Sequence, residues 1–445
     1  MRVYNVASAT VVLETKSAKI LVDPWLVDGE YYGSWHHYPP LELDAKLLES
    51  ITHIYISHIH PDHLSVRSLE LLDRKIPVLI HSYDSKFLKA NIERIGFDVV
   101  ELPNGESYYF TEDEYLTIYA ADNCNPELCS KFLGCAHVET KYQSTQIDSL
   151  MLLTEGNKTV LNLNDCPIDL TRSVLPVINK KFGQIDFLLV GYCGAGPFPQ
   201  CFQLSEYEMK VAGEAKSMQF LNQALEYIEL IKPKYFMPFA GTYVLAGKLH
   251  KLNNFRGIPE LHEALDFLNK NCDSRVSSGI LLNQNEFFDI TDGSASKPYL
   301  KIDVKERADY ISNNLKNILL DYERDEVVYD DLVNMAEEAF RRVINKKNQI
   351  GFKTRTKLFI QIDESKDIMM NLGEDSSMEI VNNGVHLNQN AFVRISLDKR
   401  LLFRLLKGPR YAHWNNAEIG SHLRFERYPN IYERGLYHIL CFFHI

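Results

Sequence analysis

A chain of 445 residues is too long for one ordinary hydrophobic core, and two domains are expected. Hydrophobic residues make up 45% and charged residues 24%, the balance of a soluble globular protein, which excludes a disordered chain. Its 48 basic against 59 acidic side chains leave a net charge of −11 with no Lys/Arg block, which argues against nucleic acid as a partner.

Met1 to Asn5 leads directly into strand-like sequence, without the charged and apolar regions of a leader. No run of about 18 apolar residues occurs, so the expectation is a cytoplasmic protein that engages no membrane. Residues 3–13 and 19–22 read as a strand pair around a polar turn at Lys16-Ser17, halted by Asp23-Pro24-Trp25. A helix-like stretch ends near Glu49, and a strand over 51–57 delivers a histidine cluster at its carboxyl end, the usual place for a site in a layered α/β protein. Further strands are expected at 78–80, 115–120, 150–154, 160–163 and 187–190, with a hairpin around Glu155-Gly156-Asn157. Helical spacing predicts a helix over 206–231, ended by Pro233. Asp292 to Pro298 reads as a loop or linker; helices follow at 304–322 and 330–346, then strand-like sequence from Lys357 and a helix around 399–406. The expected division is an α/β domain over residues 1–290 and a smaller α+β domain over 300–445.

The chemistry is concentrated in His58-Ile59-His60-Pro61-Asp62-His63. Two histidines at i and i+2 on a turn leaving a strand can aim both rings into one cavity, and Asp62 and His63 add a carboxylate and a third imidazole. Neutral imidazoles and carboxylates suit zinc or non-haem iron, and one or two divalent ions are expected. His53 reads as a packed or exposed strand residue, and His36 and His37 as loop residues or the lining of an entrance.

The order Asp23-Pro24, His58-x-His60-x-Asp62-His63 and a later Asn164-Asp165-Cys166 at a strand end resembles the metallo-β-lactamase superfamily. That resemblance implies an αββα sandwich, with a first metal on His58 and His60, a second on Asp62 and His63, Asp165 bridging them, and Asp23 orienting a histidine from behind. Within the superfamily, Asp23-Pro24-Trp25-Leu26, Ile54-Tyr55-Ile56-Ser57-His58, Gly194-Ala195-Gly196-Pro197-Phe198-Pro199 and Pro238-Phe239-Ala240-Gly241 resemble the metallo-β-lactamase-like part of CMP-N-acetylneuraminate hydroxylase. No Cys-x-His and Cys-x-x-His pair of the kind that holds a Rieske cluster occurs in this chain.

The sequence departs from the superfamily pattern twice. Gln143 to Asp148 stands where a third histidine for the first metal is expected, and Pro238-Phe239-Ala240 carries no final histidine; His137 is the nearest substitute. Cys124, Cys129 and Cys135 share a loop with His137, as packed thiols or as a metal or redox group, and the eight cysteines do not form a secreted disulfide framework. Gly194 and Gly196 mark either a plain tight turn or a backbone approach to a phosphate or sugar. His413 to Gly420 combines aromatic, amide and charged groups that either cover the cavity or serve structure.

Three functions follow as expectations. A metal-activated water, oriented by Asp62 or Asp165, would make the protein a hydrolase of a small-molecule, sugar-nucleotide-like substrate. The same ligands holding iron would make it a hydroxylase of an N-acyl sugar nucleotide, which requires a separate Rieske or ferredoxin electron donor. A metal used only as a staple would leave a non-catalytic binding protein.

Overall fold

The computed structural model describes residues 1–84, 86–120 and 148–445. Most strands of the first 295 residues form two mixed sheets, and Trp35–His37 pairs with Tyr243–Leu245 as a separate two-stranded one. One runs in the order 294–295, 287–289, 2–7, 10–14, 19–22, 53–55, 78–81 and 99–102, and the other in the order 278–279, 235–239, 187–191, 158–162, 149–155, 114–120 and 107–109. Both pass from antiparallel hairpins to parallel strands, at Lys19–Val22 in the first and Lys158–Asn162 in the second.

Side-chain alternation sorts these strands into layers. Val11, Leu13, Ile20 and Val22 face Ile118, Met151, Leu153 and Leu189 of the other sheet. Their neighbours Val12 and Leu21, with Ile54 and Ile80, pack under Leu47, Leu69, Leu88 and Ile92, which belong to the helices Ala45–Glu49, Val66–Leu69 and Phe87–Ile95. Leu152, Leu161, Leu188 and Val190 pack under the helices Ile168–Phe182, Glu206–Ile231 and Leu261–Asn271. Helices therefore cover both outer faces, which is the metallo-β-lactamase αββα sandwich.

The remaining chain adds a five-stranded sheet in the order 377–382, 366–371, 357–361, 392–396 and 424–428, backed by the helices Tyr329–Gln349, Lys399–Leu406 and Arg434–Leu440. Its apolar core continues into Trp25, Tyr31, Trp35, Tyr243 and Leu245 of the sandwich, so the two parts share buried surface. No helix among the described residues is long and apolar enough to cross a membrane.

Two predicted elements differ. The strand expected over 3–13 is two strands, Arg2–Ala7 and Thr10–Glu14, because Ser8 turns the chain at φ 50 beside a bulge, with no glycine to signal it. The helix expected over 304–322 is α-helical only for Val304–Tyr310, widens to a π turn over Ile311–Leu315 and then stops.

The short helix Trp414–Ile419 carries Glu418, whose carboxyl is pushed up to about 7 by burial, with Arg427 pulling weakly the other way. A raised carboxyl favours the fold while protonated, and that contribution is lost as pH rises from about 4.5 through 7. Glu418 keeps part of its surface toward solvent, so Glu418→Gln is expected to stabilise by only about 1–2 kcal/mol at pH 8.5 and by nothing measurable at pH 4. Thermal melts at the two pH values check this.

Candidate metal centre

The site forms where strands of the two sheets end side by side. Lys19–Val22 and His53–Tyr55 are parallel neighbours, and their carboxyl ends deliver Asp23 and Ser57-His58. Two residues beyond the strand Lys158–Asn162 of the second sheet, Asn164 takes φ 47 and donates from Nδ2 to the Ser149 carbonyl, turning Asp165 toward the histidines. Asparagine tolerates that left-handed turn better than most residues.

Each of the three histidines has one ring nitrogen tied to a protein oxygen. His58 Nδ1 lies 2.9 Å from Ser57 Oγ, His60 Nε2 lies 3.1 Å from Asn415 Oδ1, and His63 Nδ1 lies 2.8 Å from Asp23 Oδ2. Asp23 is fully buried and also accepts from the Ser57 amide and hydroxyl, both at 2.7 Å, so the Ser57 hydroxyl proton is committed to Asp23. This network assigns the protons to His58 Nδ1, His60 Nε2 and His63 Nδ1. The lone pairs of His58 Nε2 and His60 Nδ1 then face each other at 2.9 Å. His63 Nε2 faces Asp62 Oδ2 at 3.5 Å and Asp165 Oδ2 at 3.7 Å, and Asp165 Oδ2 is also 3.7 Å from His58 Nε2.

Opposed lone pairs and clustered carboxylates repel unless a cation lies between them. Burial, then His63 and His60, hold His58 well below the ordinary imidazole range, which keeps it a neutral ligand. Burial also disfavours charge on His63, but Asp62, Asp23 and Asp165 outweigh it and push His63 up to about 10. Asp165 sits in a cup: half its side-chain surface is open, yet protein surrounds it, and burial is the main cause raising its pKa, followed by opposing effects of His63 and Asp62. Without a metal, a proton on His63 offsets part of the negative charge; a divalent ion fits the same place.

The donor set fits zinc or iron. Zinc with imidazole ligands at about 2.0–2.1 Å places two such nitrogens about 3.3 Å apart, a few tenths beyond the 2.9 Å between His58 and His60. Donor atoms of His58, His60 and Asp165 lie within 4.8 Å of one another, enough for one ion, and His63 and Asp62 lie on the other side of Asp165. The protein orients these ligands from outside as metal sites usually require.

Several residues here carry no motif. Tyr31 is buried and donates to Asp62 Oδ1 at 2.5 Å, leaving Oδ2 toward His63. It takes a left-handed backbone (φ 50, followed by Tyr32 at φ 60), held by His422 Nε2 at 2.7 Å from the Tyr31 carbonyl and by Tyr322, whose hydroxyl is 3.0 Å from His422 Nδ1. Asn415, from the aromatic and amide segment 413–420, reaches His60 across 355 residues of sequence. Asp148, last residue of the segment that replaces the third histidine, lies 3.6 Å from His58 Nδ1, behind the ring rather than on its ligand side.

His137, Cys124, Cys129 and Cys135 lie outside the described residues. Gly194 packs on Phe220, where a Cβ would fall 2.1 Å from the ring, so packing alone requires glycine; Gly196 has open space at its Cβ position, and its carbonyl accepts from Lys216 Nζ at 3.1 Å. Ala240, where the final histidine is missing, is turned at φ 67 and donates its amide to the Ser8 carbonyl. His37 is tied to Asp28 at 2.8 Å and His53 packs on Tyr108 and Phe110, so both serve packing.

No protein-family model matches the chain. It is 26% identical over 263 residues to a Rieske 2Fe-2S iron–sulfur protein of Mycolicibacterium smegmatis, covering 58% of this chain and 47% of that one. It is 24% identical over 285 residues to the cytidine monophosphate-N-acetylneuraminic acid hydroxylase of Danio rerio, covering 60% and 42%. The chain thus spans less than half the length of these relatives. Among solved structures, an isothiocyanate hydrolase from Delia radicum gut bacteria aligns with 66% of this chain and all of its own at 12% identity and a TM-score of 0.44. The CmlA β-hydroxylase aligns with 64% of this chain and 53% of its own at 17% identity and a TM-score of 0.41. The chain is an αββα sandwich with a candidate His-His-Asp metal site, similar over more than half its length to CMP-N-acetylneuraminic acid hydroxylases and Rieske proteins.

Proposed function

We propose that the protein is a metal-dependent hydrolase of a small-molecule substrate, of the sugar-nucleotide class suggested by its relatives. The observation that carries this reading is Asp165 Oδ2 equidistant, at 3.7 Å, from the inward nitrogens of His58 and His63. His58, His60 and Asp165 would hold one ion, and Asp62, His63 and Asp165 a second. A divalent ion there supplies Lewis acidity that, for zinc, lowers the pKa of water to about 7. The chain does the rest: Asp23 and Ser57 fix the tautomers of His63 and His58, and Tyr31 fixes one oxygen of Asp62. The open face of Asp165 would take a proton from an attacking water and return it to the leaving group.

The similarity to hydroxylases favours a second reading, oxidation by the same ligand set holding iron, with electrons from a Rieske or ferredoxin donor. Turnover of N-acyl amino-sugar nucleotides, assayed with and without oxygen and reductant, separates the two. Hydrolysis predicts product release under nitrogen with no reductant, and strict dependence on both reagents would replace it with the oxidative reading. In either case His60→Ala is expected to lose more than the about 10–100-fold typical of an outer hydrogen-bond partner. A fully active His60→Ala protein contradicts both.

A further inference from the structure

A cavity of about 420 Å³ lies between the helix Glu206–Ile231, residues 241–244 and residues 253–263. Tyr38, Tyr192 and Tyr243 give it aromatic walls, and Ser217 and Thr242 add hydroxyls. The turn carrying Arg256 is clamped to the helix, because Gly257 at φ 64 packs its backbone on Gly213, where a Cβ would stand 2.6 Å from the Gly213 carbonyl oxygen.

Arg256 in this wall is only 9% exposed, and neither its Nε nor its Nη1 has a hydrogen-bond partner. The guanidinium lies over the Tyr243 ring, with Cζ 4.3 Å from the centroid. Among the described residues no carboxylate forms an ion pair with it. Nearby Lys216 is also buried and donates only to the Gly196 and Phe198 carbonyls, at 3.1 and 2.9 Å. The acids of the cavity are committed elsewhere or stand at its rim: both oxygens of Glu260 take Arg307, and Glu214 and Glu263 are exposed. A buried guanidinium with no counter-charge is costly, and a planar donor beside aromatic walls suits a phosphate or carboxylate.

We propose that this cavity binds a small molecule through a phosphate or carboxylate group, with Arg256 as the recognising charge and the tyrosines as flat walls for the rest of the ligand. The cavity borders the metal centre, since its wall residue Tyr243 stacks on Trp35, which packs on the Tyr31 that holds Asp62, and the proposal holds whether that centre hydrolyses or oxidises.

The test uses the full chain stripped of metal with chelator, so that anions cannot bind at the histidines. Phenyl phosphate, benzoate and neutral benzyl alcohol are titrated separately by ligand-observed NMR. Phenyl phosphate or benzoate is expected to bind, and whichever binds tighter identifies the anion; Arg256→Gln is expected to weaken it at least about tenfold and Arg256→Lys by less. Ser217→Trp, which fills the cavity from the helix and leaves Arg256 in place, is expected to abolish binding and serves if Arg256→Gln does not fold. The proposal is overturned if neither anion binds, if benzyl alcohol binds as well as both, or if folded Arg256→Gln or Ser217→Trp binds like the parent.

Discussion

Asp165→Asn is expected to cost at least about 100-fold in turnover, the scale of a positioned general acid or base, and to leave no more than one metal ion per chain. Among the described residues Asp165 is the one carboxylate within 4 Å of the inward nitrogens of both His58 and His63, so its loss removes a ligand from each half of the site. Stability should move the other way. The Asp165 carboxyl is raised by burial and by Asp62, and a raised carboxyl contributes stability below its unfolded pKa that is lost as pH rises. At pH 7 the metal-free Asp165→Asn protein should therefore melt no lower than the metal-free parent, and with metal it should melt lower. Calorimetry with and without chelator, beside metal analysis, checks both; a metal-free variant that melts lower would contradict this account of the site's repulsion.

Asp23→Ala is the second large effect, and it acts through the fold. Asp23 is fully buried and accepts from the Ser57 amide, the Ser57 hydroxyl and His63 Nδ1. Its removal strands three buried donors, and a broken buried ionic network costs about 3–5 kcal/mol. The backbone there takes φ 47, which aspartate tolerates better than alanine, so the substitution adds strain. Asp23→Asn keeps the shape and withdraws the charge. It is expected to lose less stability yet still weaken metal binding by about 10–100-fold through a misoriented His63. Denaturant unfolding and metal titration of the two variants separate these contributions, and equal metal affinity in Asp23→Asn would show that Asp23 does not tune the site.

The legible part of the site was the part written locally. His58, His60, Asp62 and His63 fall within six residues, and one turn brings them together. The helix Glu206–Ile231 was also legible, because its apolar residues recur at helical spacing and Pro233 follows. Asp165 stood out only through family resemblance, since one acid at a strand end looks like any other until the two sheets pack. Tyr31 and Asn415 could not be placed from spacing. Tyr31 depends on two consecutive left-handed tyrosines, where Gly29 and Gly33 mark a turn but not which side chain it aims at Asp62, and Asn415 depends on the carboxyl-terminal part docking against the sandwich. The segment around Asn415 was recognisable as a candidate cover, but its contact with His60 is a tertiary fact.

Metal analysis of the 445-residue chain, isolated without added metal and then equilibrated with zinc or iron(II), tests the central claim most directly. The arrangement of three inward imidazole nitrogens around Asp62 and Asp165 predicts one or two tightly held ions per chain, with loss of at least one in His58→Ala and in His60→Ala. A folded parent protein that retains neither metal, or variants that retain as much as the parent, would contradict the assignment of this site.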